Sequence, residues 1–126
     1  MEWQEAHDIK QSLKEILSVI DMPHIKLERI YCYRTEGSKA RAYARTWSFP
    51  KIFQKALRIE PAYVIEVLEK HFDKLDDEKK KKVLIHELLH IPKNFSGALL
   101  PHHTAHRNLN KTANELYKEY KRKTNR

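Results

Sequence analysis

The sequence is short of several features that would point to particular protein classes. Its 126 residues include one cysteine, Cys32, and two glycines, and they contain no apolar run long enough to span a membrane. A single cysteine forms no internal disulfide, and no apolar segment at the N-terminus resembles a secretion signal. We therefore expect a cytoplasmic protein without a membrane partner.

Acidic residues are also scarce relative to basic ones. The chain has 25 lysines and arginines against 17 aspartates and glutamates, which gives a net charge of +8. This excess favours anionic partners, nucleic acid among them. Much of it lies in Lys79 to Lys82 and in 118–126, and such runs are more often solvated helix faces. The charge is therefore only weak support for nucleic acid as a partner.

Hydrophobic periodicity predicts an α+β fold in a single domain, residues 1–126. Residues 2–20, with Trp3 as the first apolar position, have the spacing of an amphipathic helix. The elements predicted after it are a hairpin with strands over 25–34 and 40–47 and a loop over 35–39, a short helix over 51–57, a strand over 62–68, a helix from Asp76 to Pro92, and a helix over 105–121. We expect a small, mostly antiparallel sheet packed on the helix that starts at Asp76, and a disordered tail over 121–126.

Two of these elements carry more detailed expectations. The short helix is expected to turn Phe53 and Leu57 inward. The second hairpin strand alternates between small and large side chains, so its faces are expected to be Ala40, Ala42, Ala44 and Thr46 on one side and Arg41, Tyr43, Arg45 and Trp47 on the other. The second face is that of a half-exposed sheet, or alternatively of a groove that stacks on bases or lines a substrate.

The pentapeptide His86-Glu87-Leu88-Leu89-His90 has the spacing of a metal site on a helix. Residues four apart on an α-helix lie about 40° apart around the axis and about 6 Å along it, so both imidazoles can reach one cation. Glu87 lies beside that cation, where it can accept a proton from an activated water. The alternative is a buried helix whose histidines are satisfied by hydrogen bonds. It leaves an acidic residue in an apolar setting without a role.

A catalytic zinc site needs a third protein ligand and leaves a fourth position open. Lys93 and Ser96 stand where the longer motif with a third histidine would have Gly and His, so that arrangement is excluded. The remaining candidates lie further along the chain: His102, His103, His106 and Glu115.

The segment from Leu84 to Pro92, followed by Phe95-Ser96-Gly97-Ala98-Leu99 and Pro101-His102, resembles the small predicted zinc metallopeptidases of archaea and phages. The similarity extends upstream through Ile30 to Cys32, Gly37 to Arg45 and Pro61 to Val67. It implies a minimal zincin-like domain with zinc as cofactor, His86 and His90 as ligands and Glu87 as general base. By its position after the proline, His102 would be the third ligand. SprT-like peptidases are a more distant likeness.

We therefore expect a zinc-dependent metallopeptidase that acts on a peptide or protein substrate. His103, His106 and Glu115 are kept as alternative ligands or as residues that support the ligands. Two other functions are considered: a zinc-binding protein without turnover, and a basic protein associated with nucleic acid.

Overall fold

The computed structural model describes residues 1–104 and 107–125. Within them the chain forms two small sheets and five α-helices, which confirms the predicted α+β class. The strands are Glu2–Glu5 (β1), Ile30–Glu36 (β2), Ala44–Trp47 (β3), Tyr63–Leu68 (β4), His103–Thr104 (β5) and Arg107–Asn108 (β6). The helices are His7–Val19 (α1), Lys51–Leu57 (α2), Glu69–Phe72 (α3), Asp77–Leu89 (α4) and Leu109–Thr124 (α5).

The main sheet has four strands in the order β1-β2-β4-β3. β1 is antiparallel to β2, β2 is parallel to β4, and β3 is antiparallel to β4. The sheet is therefore mixed, with antiparallel pairs at both edges. β5 and β6 form a separate antiparallel pair just before α5.

The predicted hairpin of residues 25–47 is wrong. β2 and β3 do not pair, because β4 lies between them, with Cys32 opposite one side of Ile65 and Thr46 opposite the other. Residues Ile65 to Leu68 are all buried, and an apolar strand of this kind is most stable in the interior of a sheet. β3 also begins only at Ala44, so the alternation predicted from residue 40 applies to its four residues alone.

The first helix begins later than predicted. Residues Glu2–Glu5 form β1, in which Trp3 lies opposite Thr35, and α1 starts at His7. The rest of the predicted stripe is confirmed, since Ile9, Leu13 and Ile16 are buried. Trp3 fits the helical spacing, but pairing with β2 satisfies the backbone of this segment instead.

Two further predictions about the ends of elements are corrected. α2 forms where expected, but Phe53 and Leu57 are 53% and 63% exposed, so this helix does not turn them inward. α5 continues to Thr124, so residues 121–124 are helical where a disordered tail was predicted. A Lys123–Glu119 ion pair of 3.0 Å, four residues apart, supports this last turn.

The core lies between one face of the main sheet and helices α1, α4 and α5. It is formed by buried side chains from each of these elements: Leu13 and Ile16 on α1, Ile30 on β2, Ile65 and Val67 on β4, Leu84, Ile85 and Leu88 on α4, and Leu109 and Ala113 on α5. Cys32 is buried among them. None of the helices in the described part of the chain is long and apolar enough to cross a membrane.

The opposite face of the sheet is organised by one carboxylate, that of Glu66 on β4. It accepts hydrogen bonds from the indoles of Trp3 and Trp47 at 3.0 and 2.8 Å, from Arg45 Nε at 2.6 Å and from the Thr35 hydroxyl. Burial alone would raise the pKa of Glu66, but these donors outweigh it and lower the pKa to about 2. One side chain therefore links all four strands.

Candidate metal centre

Helix α4 starts at a well-formed N-terminus. The Asp76 side chain accepts a hydrogen bond from Lys79 N at 2.9 Å, and Asp77 and Glu78 lie in the first turn, where negative charge suits the helix dipole. The helix ends at Leu89, three residues before Pro92. Leu84, Ile85 and Leu88 anchor it in the core, so the face that bears His86 is held in a fixed position.

Three imidazoles converge beside this helix. One ring nitrogen from each of His86, His90 and His102 lies within 4.8 Å of the others. The ring centroids are 5.0 Å apart for His86 and His90, 5.1 Å for His86 and His102, and 4.5 Å for His90 and His102. This spacing is small enough for all three nitrogens to contact a single ion.

The tautomer of His90 is fixed by its surroundings. Its Nδ1 is 2.6 Å from the carbonyl oxygen of Leu100, and because a carbonyl only accepts, Nδ1 carries the proton. Nε2 of His90 is then left with its lone pair available for a metal.

Helix α5 lies next to His86 across the cleft. Asn110 on α5 lines the same cleft as His86, and its side chain opposes the lowering of the His86 pKa. Burial, followed by the neighbouring His90 and His102, lowers the pKa of His86 to about 4. His86 is therefore a neutral imidazole at physiological pH, which is the form that binds metals.

Glu87 is buried next to this cluster, with 6% of its surface exposed. Thr46 on β3 donates from Oγ1 to Glu87 Oε1 at 3.0 Å, which ties the carboxylate to the sheet. Burial raises the pKa of Glu87 to about 6, although the Thr46 hydrogen bond opposes this shift.

His102 is brought to the cluster by a loop with several fixed points. Gln54 on α2 donates to the carbonyl of Ser96 at 2.8 Å. The Tyr63 hydroxyl accepts from Gly97 N and donates to the carbonyl of Ala98, both at 2.8 Å. On the far side, Leu109 N donates to the His102 carbonyl at 3.1 Å. The exposed His102 side chain is thus carried by a restrained backbone.

A cleft of about 350 Å³ opens against the cluster, with His86, Glu87 and His102 in its wall. Tyr43 and Ala44 line it from the sheet side, and Lys82 and Val83 from α4. It therefore leads directly to two of the three imidazoles and has room for part of a peptide.

The structure brings together four of the predicted site residues: His86, Glu87, His90 and His102. Glu115 lies at an exposed position of α5, outside the group of three imidazoles. The backbone of His103 is in β5. His106 is outside the described residues.

Three contributors to the site were missed by the sequence analysis: Asn110, Thr46 and the carbonyl of Leu100. Thr46 was assigned to the small-residue face of its strand, and that placement could have identified it as the residue facing the motif helix. An asparagine near the start of a helix and a backbone carbonyl in a loop give no comparable signal.

Comparison with known proteins gives one result that bears on this site. A family model described as "Putative phage metallopeptidase" matches residues 1–123, nearly the whole chain. No curated protein and no solved structure matches the chain.

Proposed function

Because the chain belongs to the phage metallopeptidase family, we propose that it is a zinc peptidase with a zincin-like HExxH site. The observation that carries the proposal is the convergence of His86, His90 and His102, with the Glu87 carboxylate buried beside them. The family supports peptidase activity in general. The metal, the ligands and the role of Glu87 are our assignments.

The donor set fits zinc. Three imidazoles with one position left open is an arrangement found in catalytic zinc sites, and imidazole is a preferred ligand of zinc and neighbouring transition metals. His86, His90 and His102 would hold the ion. Bound there, zinc would supply Lewis-acid chemistry that polarises the scissile carbonyl and lowers the pKa of a water.

Glu87 is assigned as the general base and then the general acid. Its Oε1 is held by Thr46, so we assign Oε2 as the oxygen that takes a proton from the attacking water. The same oxygen then passes this proton to the nitrogen of the leaving amine. The carboxylate ends the cycle ionised, as it began. The Thr46 hydrogen bond keeps the carboxylate from rotating away between the two steps.

The sheet offers a place for the substrate backbone. In the structure β4 is internal, while β3 lies at one edge and has Ala44 at the cleft, next to Tyr43 just before the strand. We assign β3 as the strand to which an extended peptide adds, with its scissile bond next to Glu87.

A broad peptide-library digest tests the proposal. Zinc-reconstituted protein should cleave peptides, and a chelator should abolish cleavage, which would exclude a zinc-binding protein without turnover. Glu87→Gln should retain zinc and lose at least ~10²-fold in turnover, the scale on which general acid–base groups contribute. Glu119→Gln, the same chemical change on α5, is the matched control and should cleave normally. Full activity in Glu87→Gln, or cleavage that survives chelation, would contradict the assignment.

A further inference from the structure

We propose that the cleft beside the three imidazoles binds a carboxylate of the substrate, and that Lys82 is the residue that selects it. The carboxylate is either the side chain of an aspartate or glutamate or the C-terminus of a peptide. This inference rests on the proposed peptidase function, because it defines the substrate class of the same site.

The shape of the cleft is set by small side chains. Ala113 and Asn114 lie three and four residues after Asn110 on α5, so both are on the face that bears Asn110, and all three line the cleft. Ala44 lines it from β3. The space of about 350 Å³ exists because these positions carry alanine and asparagine rather than larger residues.

The charge in the cleft wall comes from Lys82. This residue lies one helical turn before His86 on α4, so both point from the same face of the helix into the cleft. The Lys82 Nζ is 5.4 Å from the centre of the Tyr117 ring, which restrains the long side chain. A carboxylate bound by Lys82 would therefore lie one helical turn from His86.

The ion pair that Lys82 forms within the chain is weak. Glu78 Oε2 is 3.5 Å from Lys82 Nζ, and the two side chains are 46% and 35% exposed. An exposed ion pair of this length is worth little, so a substrate carboxylate can replace or share it. An ammonium group has three donors, and Glu78 occupies only one of them.

The other polar groups in the cleft wall fit the same ligand. The amides of Asn110 and Asn114 can donate hydrogen bonds, and among the described residues of the wall Glu87 supplies the one carboxylate. Glu87 is already committed to Thr46 and to proton transfer. A basic substrate side chain would meet Lys82 without a free acidic partner, whereas an acidic one would meet an ammonium and two amides.

Binding of labelled peptides tests the proposal without depending on turnover. The protein would be zinc-loaded Glu87→Gln, so that peptides are not consumed, and the probes would be fluorescein-labelled hexapeptide pools with one position fixed as Glu, Gln or Lys. Fluorescence anisotropy should show at least one position at which Glu binds about fivefold more tightly than Gln, the scale of a partly exposed ion pair, and Lys more weakly still. Pools with free and amidated C-termini separate a side-chain carboxylate from a terminal one.

The matched variants are Lys82→Met and Lys81→Met in the same background. Both remove one positive charge from α4, but Lys81 lies over Tyr120, and its variant should keep the preference. Loss of the preference in Lys82→Met alone supports the proposal. Equal binding of Glu and Gln pools, no binding of any pool, or a preference unchanged in Lys82→Met overturns it. Peptide cleavage without a carboxylate preference contradicts only this proposal, whereas a Lys82-dependent preference without any cleavage contradicts only the peptidase assignment.

Discussion

His90 and Leu100 bind each other through two hydrogen bonds. Leu100 N donates to the His90 carbonyl at 2.7 Å, and His90 Nδ1 donates to the Leu100 carbonyl at 2.6 Å. The pair closes residues 91–99 into a loop whose two ends are fixed at the end of α4. His102 follows two residues later, so the same contact that orients one imidazole also brings the third one into reach.

The first prediction concerns the third ligand. His102→Ala should lower zinc affinity by more than about 100-fold, because even the hydrogen-bond partners of metal ligands contribute about 10- to 100-fold. Glu115→Ala should bind zinc as the wild type does, since Glu115 is exposed on α5. Competition titrations with a chromogenic chelator measure both. Wild-type affinity in His102→Ala with a large loss in Glu115→Ala would assign the site to the glutamate type.

Asn110 gives a second prediction. Its side chain acts on the His86 ring from α5, so Asn110→Ala should weaken zinc binding by about 10- to 100-fold while the protein stays folded. Asn114 lines the same cleft one turn further along α5, and Asn114→Ala is the matched control. The same titration and a far-ultraviolet circular dichroism spectrum test both variants. Equal zinc affinities in the two would show that the Asn110 contact does not support the metal.

The third prediction is acid sensitivity caused by Glu66. Its pKa of about 2 in the folded protein is below the ordinary value of 4.5, so the ionised carboxylate stabilises the fold above pH 4.5. This stabilisation should be lost progressively as the pH falls from 4.5 towards 2. Urea denaturation at a series of pH values measures it. Glu66→Gln should be less stable at pH 7 and should show a flatter dependence in that window; a dependence identical to the wild type would assign the sensitivity to other carboxylates.

The two glycines provide the fourth prediction. Both have positive φ, +75° at Gly37 and +93° at Gly97, so alanine is strained at either position. A Cβ at Gly97 would also lie 2.3 Å from Gln54 Nε2 and 2.4 Å from the Phe49 carbonyl oxygen, whereas the nearest atom at Gly37 is 3.6 Å away. Gly37→Ala should lower the free energy of unfolding by about 1 kcal/mol or more, and Gly97→Ala should lower it further. Thermal unfolding compares them, and equal losses would mean that the loop adjusts without cost.

The sequence predicts the parts of the site that depend on local spacing. His86, Glu87 and His90 lie within one helical stretch, so helix geometry alone brings them together. Their supporting partners come from elsewhere: Asn110 from α5 and Leu100 from a loop. Such contacts are decided by how helices and loops pack, and no periodicity in the sequence records them.

The fold likewise has parts that local sequence patterns predict and parts that depend on distant contacts. The buried stripe of α1 and the caps of α4 follow from local patterns and are confirmed. The parallel pairing of β2 with β4 joins residues 33 positions apart, as in Ile30 and Tyr63, and it replaces a hairpin that was favoured because its strands are neighbours in sequence. Trp3 is a similar case, because its helical spacing is overridden by a strand partner and by the distant carboxylate of Glu66.

The link between Glu66 and both indoles has an optical consequence. Trp3 and Trp47 are the only tryptophans in the chain, so its tryptophan fluorescence comes from two indoles that both donate hydrogen bonds to one carboxylate. They lie on the outer face of the sheet, while Thr46, next to Trp47, reaches Glu87 on the inner face. A change in emission on adding the metal alone would therefore report that the strands of the sheet had moved when the site was filled.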